Sequence, residues 1–319
     1  MKIVIIGPGA MGCLYAFLLT RSGHEVWLLD HREDRADFIR SQGLKIEGVS
    51  GQYHIPFERI CADAGIIGKA DVIICFVKAY STEAAIKSAE SAIKSSTVIL
   101  TLQNGLGNIE RISALYPDAH CVAGTTAQGA TLIGAGHIRH AGIGETIIGA
   151  AAGSGKFHTE LIRDLFMSAL IPVQIAEDVT SLLWGKLLIN CGINPITAIM
   201  KIKNGQIPAF LNLIAVMRRA VDEGAQVASK LGITVPYQDP AQKVIEVCEA
   251  TAENRSSMLQ DIETGKKTEI EYMNGAIVRH GKQLGIDIPV NSFLTDMVLA
   301  LEKLNVSGNT DMNADERNH

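Results

Sequence analysis

The sequence predicts an α/β domain built on a mainly parallel sheet, followed by an all-helical domain. Three observations carry that expectation. Short runs rich in Val, Ile and Leu alternate with amphipathic stretches through the first half. A strand–helix–strand order repeated this way implies parallel strands covered on both faces. After about Asp178 long helical patterns follow one another, with no convincing strand among them. At 319 residues the chain is long enough for two cores. The expected boundaries are 1–177 for the first domain, 178–306 for the second and 307–319 for a polar tail.

Lys2 to Ile6, Glu25 to Leu29, Asp71 to Val77 and Thr97 to Leu102 read as buried strands. Met11 to Arg21, Arg32 to Arg40 and Ser81 to Lys94 read as the helices between them. "LKIEGVSGQYHIPF", with its central glycines, predicts a hairpin inserted into that scheme. From Cys121 to Gly149 alternating apolar residues and many glycines suggest further strands near the sheet edge. The second half predicts helices over Val179 to Met200, Pro208 to Leu231, Ala241 to Glu253, Thr268 to Leu284 and Ser292 to Leu304. The tail "SGNTDMNADERNH" lacks an apolar face, so disorder is expected there.

Apolar residues make up 47% and charged residues 20%, and the formal net charge is −5, which invites neither a nucleic-acid backbone nor an anionic membrane. No apolar run approaches the ~20 residues of a membrane helix, and "MKIVIIGPGAMG" lacks a signal-peptide cleavage site. A cytoplasmic protein is expected. The six cysteines form no C-x-x-C pair, which argues for reduced, buried thiols and against a zinc site. "HIRH" (His137 to His140) reads as a strand with alternating sides, not a ligand pair.

"KIVIIGPGAMG" places Gly7, Pro8, Gly9, Ala10, Met11 and Gly12 between a strand and a helix. The first glycine permits a tight turn, the second lets backbone approach a pyrophosphate, and the third lets helix and strand pack closely. The helix N-terminus offers free N–H groups and positive dipole to phosphates. The context makes this an α/β N-terminal Rossmann-type dinucleotide-binding domain. "EVWLLD" ends the second strand in Asp30, an acidic residue suited to ribose hydroxyls and hostile to a 2′-phosphate. Arg32 and Arg35 follow at once, and either guanidinium could pair with that phosphate. NADH and NADPH therefore both stay open.

Strand ends in open α/β sheets face ligands. "CFVKAYST" puts Lys78 at such an end, and "LTLQNGLG" puts Gln103, Asn104 and Gly105 at another. The Asn104 amide suits a nicotinamide-side group or a substrate; its rival role is a left-handed turn before Gly105. "SLLWGKLLINCGINPITAI" is apolar except at Lys186, Asn190 and Asn194, whose spacing puts them on one helix face. Pro195 is expected to end or kink that helix. A buried interhelical network is the competing account of the stripe. A buried lysine demands a partner, and Glu269 or Glu271, near the start of the helix carrying Tyr272 and Ile277, could supply it.

Taken together, "GPGAMG", "VKAY", "LQNGLG", "GTTAQGA", "WGKLLINCGINPITAI", "NGQI" and "ENRSSMLQDIETGKKTEIEYMNG" resemble the ketopantoate (2-dehydropantoate) 2-reductase family over nearly the whole chain. That resemblance implies NADPH-dependent reduction of 2-dehydropantoate to (R)-pantoate, in the pathway to coenzyme A. By position it implies Lys186 as general acid and Glu269 as the active-site carboxylate. It implies substrate contacts at Asn104, Asn190, Asn194, Asn204, Asn254 and Ser257. Cofactor contacts are implied at Gly7 to Gly12, at Lys78 and at Ala130; Asp30, Arg32, Asn104 and Glu269 are further candidates for cofactor contact. The departure is Asp30, where NADPH-using members often carry a basic residue; it keeps NADH open.

Hydride transfer to a 2-keto acid is thus the leading expectation. Its rivals are an NAD-linked D-2-hydroxyacid dehydrogenase acting on branched 2-keto acids, and a dinucleotide-sensing protein without turnover. Long apolar helices in the second domain suit a homodimer.

Overall fold

A computed structural model describes residues 1–151 and 155–315, with side-chain surroundings as far as 305. In chain order the elements are β1 (Lys2–Ile6), α1 (Ala10–Arg21), β2 (Glu25–Leu29), α2 (Glu33–Gln42), β3 (Leu44–Gly48), β4 (Tyr53–Ile55), β5 (Ile60–Cys61) and β6 (Val72–Cys75). Then come α3 (Thr82–Ser88), β7 (Val98–Thr101), α4 (Asn108–Leu115), β8 (His120–Thr126), β9 (Gly129–Gly134), β10 (His137–Gly142), β11 (Thr146–Ala150), α5 (Lys156–Ser168) and β12 (Val173–Ile175). The rest is helical: α6 (Val179–Met200), α7 (Leu211–Lys230), α8 (Pro240–Ala250), α9 (Ser257–Glu263), α10 (Asn274–Leu284) and α11 (Pro289–Asp315). The chain divides into two compact units, Met1–Gln103 with Gly107–Val179, and Asn104–Leu106 with Thr180–His319.

In the first unit the main sheet has the order β12-β11-β8-β7-β6-β1-β2-β5. Its strands from β8 to β5 are parallel, and β11 runs antiparallel to β8. Alternate side chains of β1 enter different cores: Ile3 and Ile5 join one, Val4 and Ile6 the other. Both faces are therefore buried, and the strands read as unbroken apolar runs. The predicted hairpin forms, with Leu44 opposite Ile55, but β3 pairs with β10 in a second sheet of order β4-β3-β10-β9. Likewise only β8 and β11 of the segment expected at the sheet edge join the main sheet. The second sheet covers α1 through β9 and β10, and Leu44, Ile46 and Ile138 complete the same core as Leu14 and Phe17. Within it the fully buried Tyr15 hydroxyl meets Thr126 Oγ1 at 3.2 Å and Thr146 Oγ1 at 3.1 Å.

"HIRH" forms β10 with alternating exposure: His140 is buried against Gln128, and His137 faces Glu47. All six cysteines are free and buried, and burial pushes the Cys13, Cys75 and Cys121 thiols up to about 12. Unforeseen from the sequence were the helices α4, α5 and α9 and the short strands β5 and β12. The α5 signal was present, since Thr159, Ile162, Leu165 and Phe166 recur on one face and are buried.

The second unit is organised around α6, whose Leu187, Leu188, Cys191, Ile193, Ile196 and Ala198 all enter one core. At 22 residues with mean hydropathy 1.3 it is long and apolar enough to cross a membrane, contrary to the sequence expectation. It is nonetheless a core helix, with 67% of that window buried inside the protein. Pro195 does not end it; helix continues to Met200. The helix expected over Thr268 to Leu284 is shorter. A 3-10 turn over Ile270–Tyr272 precedes Met273 (φ −106°, ψ −100°), and α10 begins only at Asn274. Helix α11 runs into the expected loose tail as far as Asp315, because extending a nucleated helix is cheap. Residues 316–319 of that tail lie outside the described residues.

The loop after β1 shows why three glycines recur. Gly7 has φ +96°, and a Cβ there would lie 2.9 Å from Val77 Cγ1. A Cβ on Gly12 would lie 2.0 Å from Gly7 O, whereas one on Gly9 would meet nothing within 4 Å. Gly12 is thus an internal packing requirement, and Gly9 leaves open the space a pyrophosphate would occupy. Two substitutions separate these roles. Gly12→Ala should lower stability by about 1–3 kcal/mol through overpacking, seen as a lower thermal midpoint. Gly9→Ala should fold at the wild-type midpoint yet weaken dinucleotide binding at least tenfold by titration.

Candidate active site

In the first unit the strand order reverses beside β1, with β2 on one side and β6 on the other. Ligands of open α/β sheets bind at the carboxyl ends of strands at such a switch point. The glycine loop leaves β1 there, and Phe76 N–H donates to Ile6 O at 2.9 Å, holding the segment after β6 against it. Lys78 follows on that segment in extended backbone, half-buried. The first turn of α1 carries no acidic residue, so its N–H groups stay suited to an anion. Pro8 is buried beneath the loop, while Gly9, Ala10 and Met11 are part-exposed. Ala130 lies apart from these strand ends in sequence and sheet, on β9 opposite His140.

Asp30 is 3% exposed at the end of β2. Its carboxylate accepts a forked pair of bonds from the Arg35 guanidinium, Nη2 reaching Oδ1 at 2.5 Å. Arg32 N–H also donates to Oδ1 at 3.3 Å. The Arg32 guanidinium instead pairs with Asp34 at the surface. The two arginines thus differ: Arg35 offsets the Asp30 charge, and Arg32 is held outside it.

In the second unit the stripe lies along α6. Lys186 and Asn190 are part-exposed, and Asn194 is 6% exposed. Burial drives the Lys186 ammonium down to about 8, and the Glu269 charge pulls in the opposite direction. Glu269 is 5% exposed, just before the 3-10 turn. Glu271 points elsewhere and pairs with Lys267 at 3.1 Å. The segment that carries Glu269 touches α6 again at two successive residues. Asn194 Nδ2 lies 3.5 Å from Met273 Sδ, and Asn274 Nδ2 donates to Cys191 O at 3.2 Å. Asn104 joins the same segment: Leu106 N–H donates to Tyr272 O at 3.0 Å, and a Cβ on Gly105 would lie 2.5 Å from that oxygen.

Asn204 and Asn254 meet through backbone, the Asn204 N–H donating to Asn254 O at 3.0 Å. The Asn204 amide nitrogen donates to Thr251 Oγ1 at 2.9 Å, and its Oδ1 is buried with no partner among the described residues. Ser257 is exposed at the first turn of α9. Its neighbour Ser256 does the structural work, capping Leu259 N–H at 3.1 Å and receiving the Thr197 hydroxyl at 2.7 Å. That bond ties the start of α9 to α6 one turn beyond Asn194. Met273 and Asn274 escaped the sequence reading; the signal was a polar residue, Asn274, inside the apolar "EYMNGAIV".

The chemistry on offer is specific in kind. A lysine with lowered proton affinity beside a buried carboxylate can donate a proton to a developing alkoxide. Amides nearby can orient a polar substrate.

The chain is similar to known proteins over both of its halves. Residues 3–153 match the family described as Ketopantoate reductase PanE/ApbA, and residues 178–302 match its C-terminal domain. The 2-dehydropantoate 2-reductase of Archaeoglobus fulgidus is 36% identical over 301 residues, covering 94% of this chain and 98% of that protein. The Escherichia coli O157:H7 enzyme of the same name is 33% identical, covering 93% and 94%. A crystal structure of a PanE/ApbA family ketopantoate reductase from Ralstonia eutropha JMP134 superposes with TM-score 0.87 at 32% identity, covering 96% of this chain and 99% of that one. D-mandelate dehydrogenase with NADH and anilino(oxo)acetate superposes with TM-score 0.89 at 27% identity, covering 96% and 99%. With both halves matched in order and relatives similar from end to end, this chain belongs to the ketopantoate reductase family.

Proposed function

We propose that the protein reduces the ketone of 2-dehydropantoate to (R)-pantoate with a nicotinamide dinucleotide. The carrying observation is Lys186, an ammonium on an apolar helix, its proton affinity lowered to about 8 by burial while it faces the Glu269 charge. A reduced nicotinamide, when bound, supplies the hydride. Lys186 Nζ donates its proton to the ketone oxygen as negative charge develops there. Glu269 holds the ammonium charged at neutral pH and orients it. Asn104, Asn190 and Asn194 orient the ketone and hydroxyl, Ser257 with Asn254 takes the carboxylate, and Asn204 offers its unpartnered Oδ1 to a hydroxyl. Gly7 to Gly12 receive the pyrophosphate, and Lys78 and Ala130 border the dinucleotide. Acting on a soluble keto acid with a soluble cofactor, the enzyme works in the cytoplasm.

For the cofactor we favour NADPH, as family membership suggests. The Arg35 fork cancels much of the repulsion Asp30 would exert on a 2′-phosphate, and Arg32 is exposed beside it. A second reading has its own support. A buried acidic residue at the end of β2 suits NADH, and the likeness to D-mandelate dehydrogenase extends it to bulkier 2-keto acids. kcat/KM values for NADPH and NADH, with 2-dehydropantoate and with branched or aromatic 2-keto acids, decide between them. A higher value for NADH with a non-pantoate acid would overturn the first reading.

Four outcomes are expected. Lys186→Ala should lower kcat by ~10²–10⁴-fold while dinucleotide still binds by fluorescence titration; near-wild-type turnover would remove the proton-donor role. Because Lys186 must be protonated to act, kcat/KM for reduction should be flat at neutral pH and fall as pH rises through about 8. Glu269→Gln removes the charge that raises this group, so the alkaline limb should move to lower pH. Finally, Arg35→Ala exposes the Asp30 charge and should shift the NADPH-to-NADH preference at least tenfold toward NADH, about 1.4 kcal/mol.

A further inference from the structure

A proline inside a helix removes the N–H that would have reached the carbonyl four residues earlier. In α6 that proline is Pro195, and the carbonyl deprived of its donor is that of Cys191. Cys191 is fully buried, so the group needs a partner from the protein itself. Asn274 provides one, its Nδ2 lying 3.2 Å from Cys191 O. The same nitrogen donates to Asn291 Oδ1 at 2.9 Å, and Asn291 Nδ2 donates in turn to Ala220 O at 2.9 Å and Glu223 Oε2 at 2.7 Å. Glu223 also receives the N–H groups of Val290 and Asn291, at 2.8 and 2.9 Å, at the start of α11. The amide orientations follow from chemistry. Ala220 O and Glu223 only accept, so Asn291 must turn its nitrogen to them and its oxygen to Asn274. Cys191 O also only accepts, so Asn274 must present nitrogen on both counts. Its Oδ1 is left buried without a partner among the described residues, although both asparagines are 0% exposed. Only the donor side of this amide is used.

The deprived carbonyl lies in the turn that carries Asn190 and Asn194. We propose that Asn274 is a positioning residue: its amide stands in for the missing proline N–H and, backed by Asn291 and Glu223, sets the α6 turn that presents the substrate asparagines. Pro195 and Asn274 form one device, in which the proline opens the helix ladder and an amide from α10 closes it. This inference rests on the proposed substrate role of Asn190 and Asn194.

The test uses the device's own logic. Pro195→Ala restores a backbone N–H to the ladder, so Asn274 should become dispensable in that background. Asn274→Ala alone should lower kcat/KM for 2-dehydropantoate at least tenfold, mainly through KM, with dinucleotide affinity unchanged. The double variant Asn274→Ala/Pro195→Ala should return to within about threefold of Pro195→Ala, in kcat/KM and in thermal midpoint. Additive losses would overturn the inference, and so would Asn274→Ala lowering stability alone while KM holds. If Asn274→Ala cannot be recovered folded, the double variant still decides: folded and active supports the device, and equally unfolded overturns it. Asn190→Ala in the same series separates the two layers. An unchanged KM there removes the substrate role of the stripe and the catalytic half of this inference with it, whereas additivity between positions 274 and 195 overturns the inference alone.

Discussion

A lysine ammonium placed on an apolar helix constrains most of the second unit. Desolvation disfavours its charged form, and only a nearby carboxylate restores it. Helix α6 supplies the lysine but carries no Asp or Glu of its own. Glu269 therefore arrives from a distant part of the chain, just ahead of the break at Met273 that precedes α10. The break is part of the solution. In a regular helix over Thr268 to Leu284, Glu269 and Met273 would share a face but Asn274 would stand about 140° around the axis from Glu269; the break at Met273 lets all three address α6. The opposing influences of burial and Glu269 leave Lys186 near 8, where it holds its proton at neutral pH and releases it readily.

The first unit meets a different requirement, a tight loop whose backbone stays open above a helix N-terminus. Gly12 is needed for the protein's own packing, and Gly9 keeps clear the space above the helix N-terminus. Beside this cradle the carboxylate of Asp30 is neutralised by a guanidinium five positions on, one turn into α2. An acidic strand end that by itself speaks for NADH becomes, once paired, compatible with a phosphate. Charge at this position has to be judged for the pair, not for either residue.

In the second unit a small group of buried and part-buried polar side chains braces α6. Asn274, Asn291 and the carboxylate of Glu223 join α10, α11 and α7, and they reach α6 at the one carbonyl its proline leaves open. Networks of this kind specify a single arrangement because a half-made version strands polar groups in a dry interior. Packing alone would tolerate some rotation of α6 about its axis. A directional bond to Cys191 does not, and it holds Lys186, Asn190 and Asn194 on one fixed face.

Much of this was legible in the amino-acid sequence, for a physical reason: period-two and helical patterns of apolar residues are written locally, and so are glycine loops. The strand–helix alternation, the helical second half, the dinucleotide loop and the one-faced stripe Lys186, Asn190 and Asn194 all follow from that. What the sequence could not decide depends on long-range pairing. The hairpin at Leu44 and the strands around His137 form a second sheet because α1 needs a cover on its outer face. Pro195 sits within a continuing helix because Asn274, distant in the chain, closes the gap it opens. The choice between Glu269 and Glu271, left open by spacing, is made by Lys267, which takes Glu271 at the surface and leaves Glu269 inside to act on Lys186. Periodicity tells which face a residue occupies; only the folded chain decides which charge or carbonyl that face will meet.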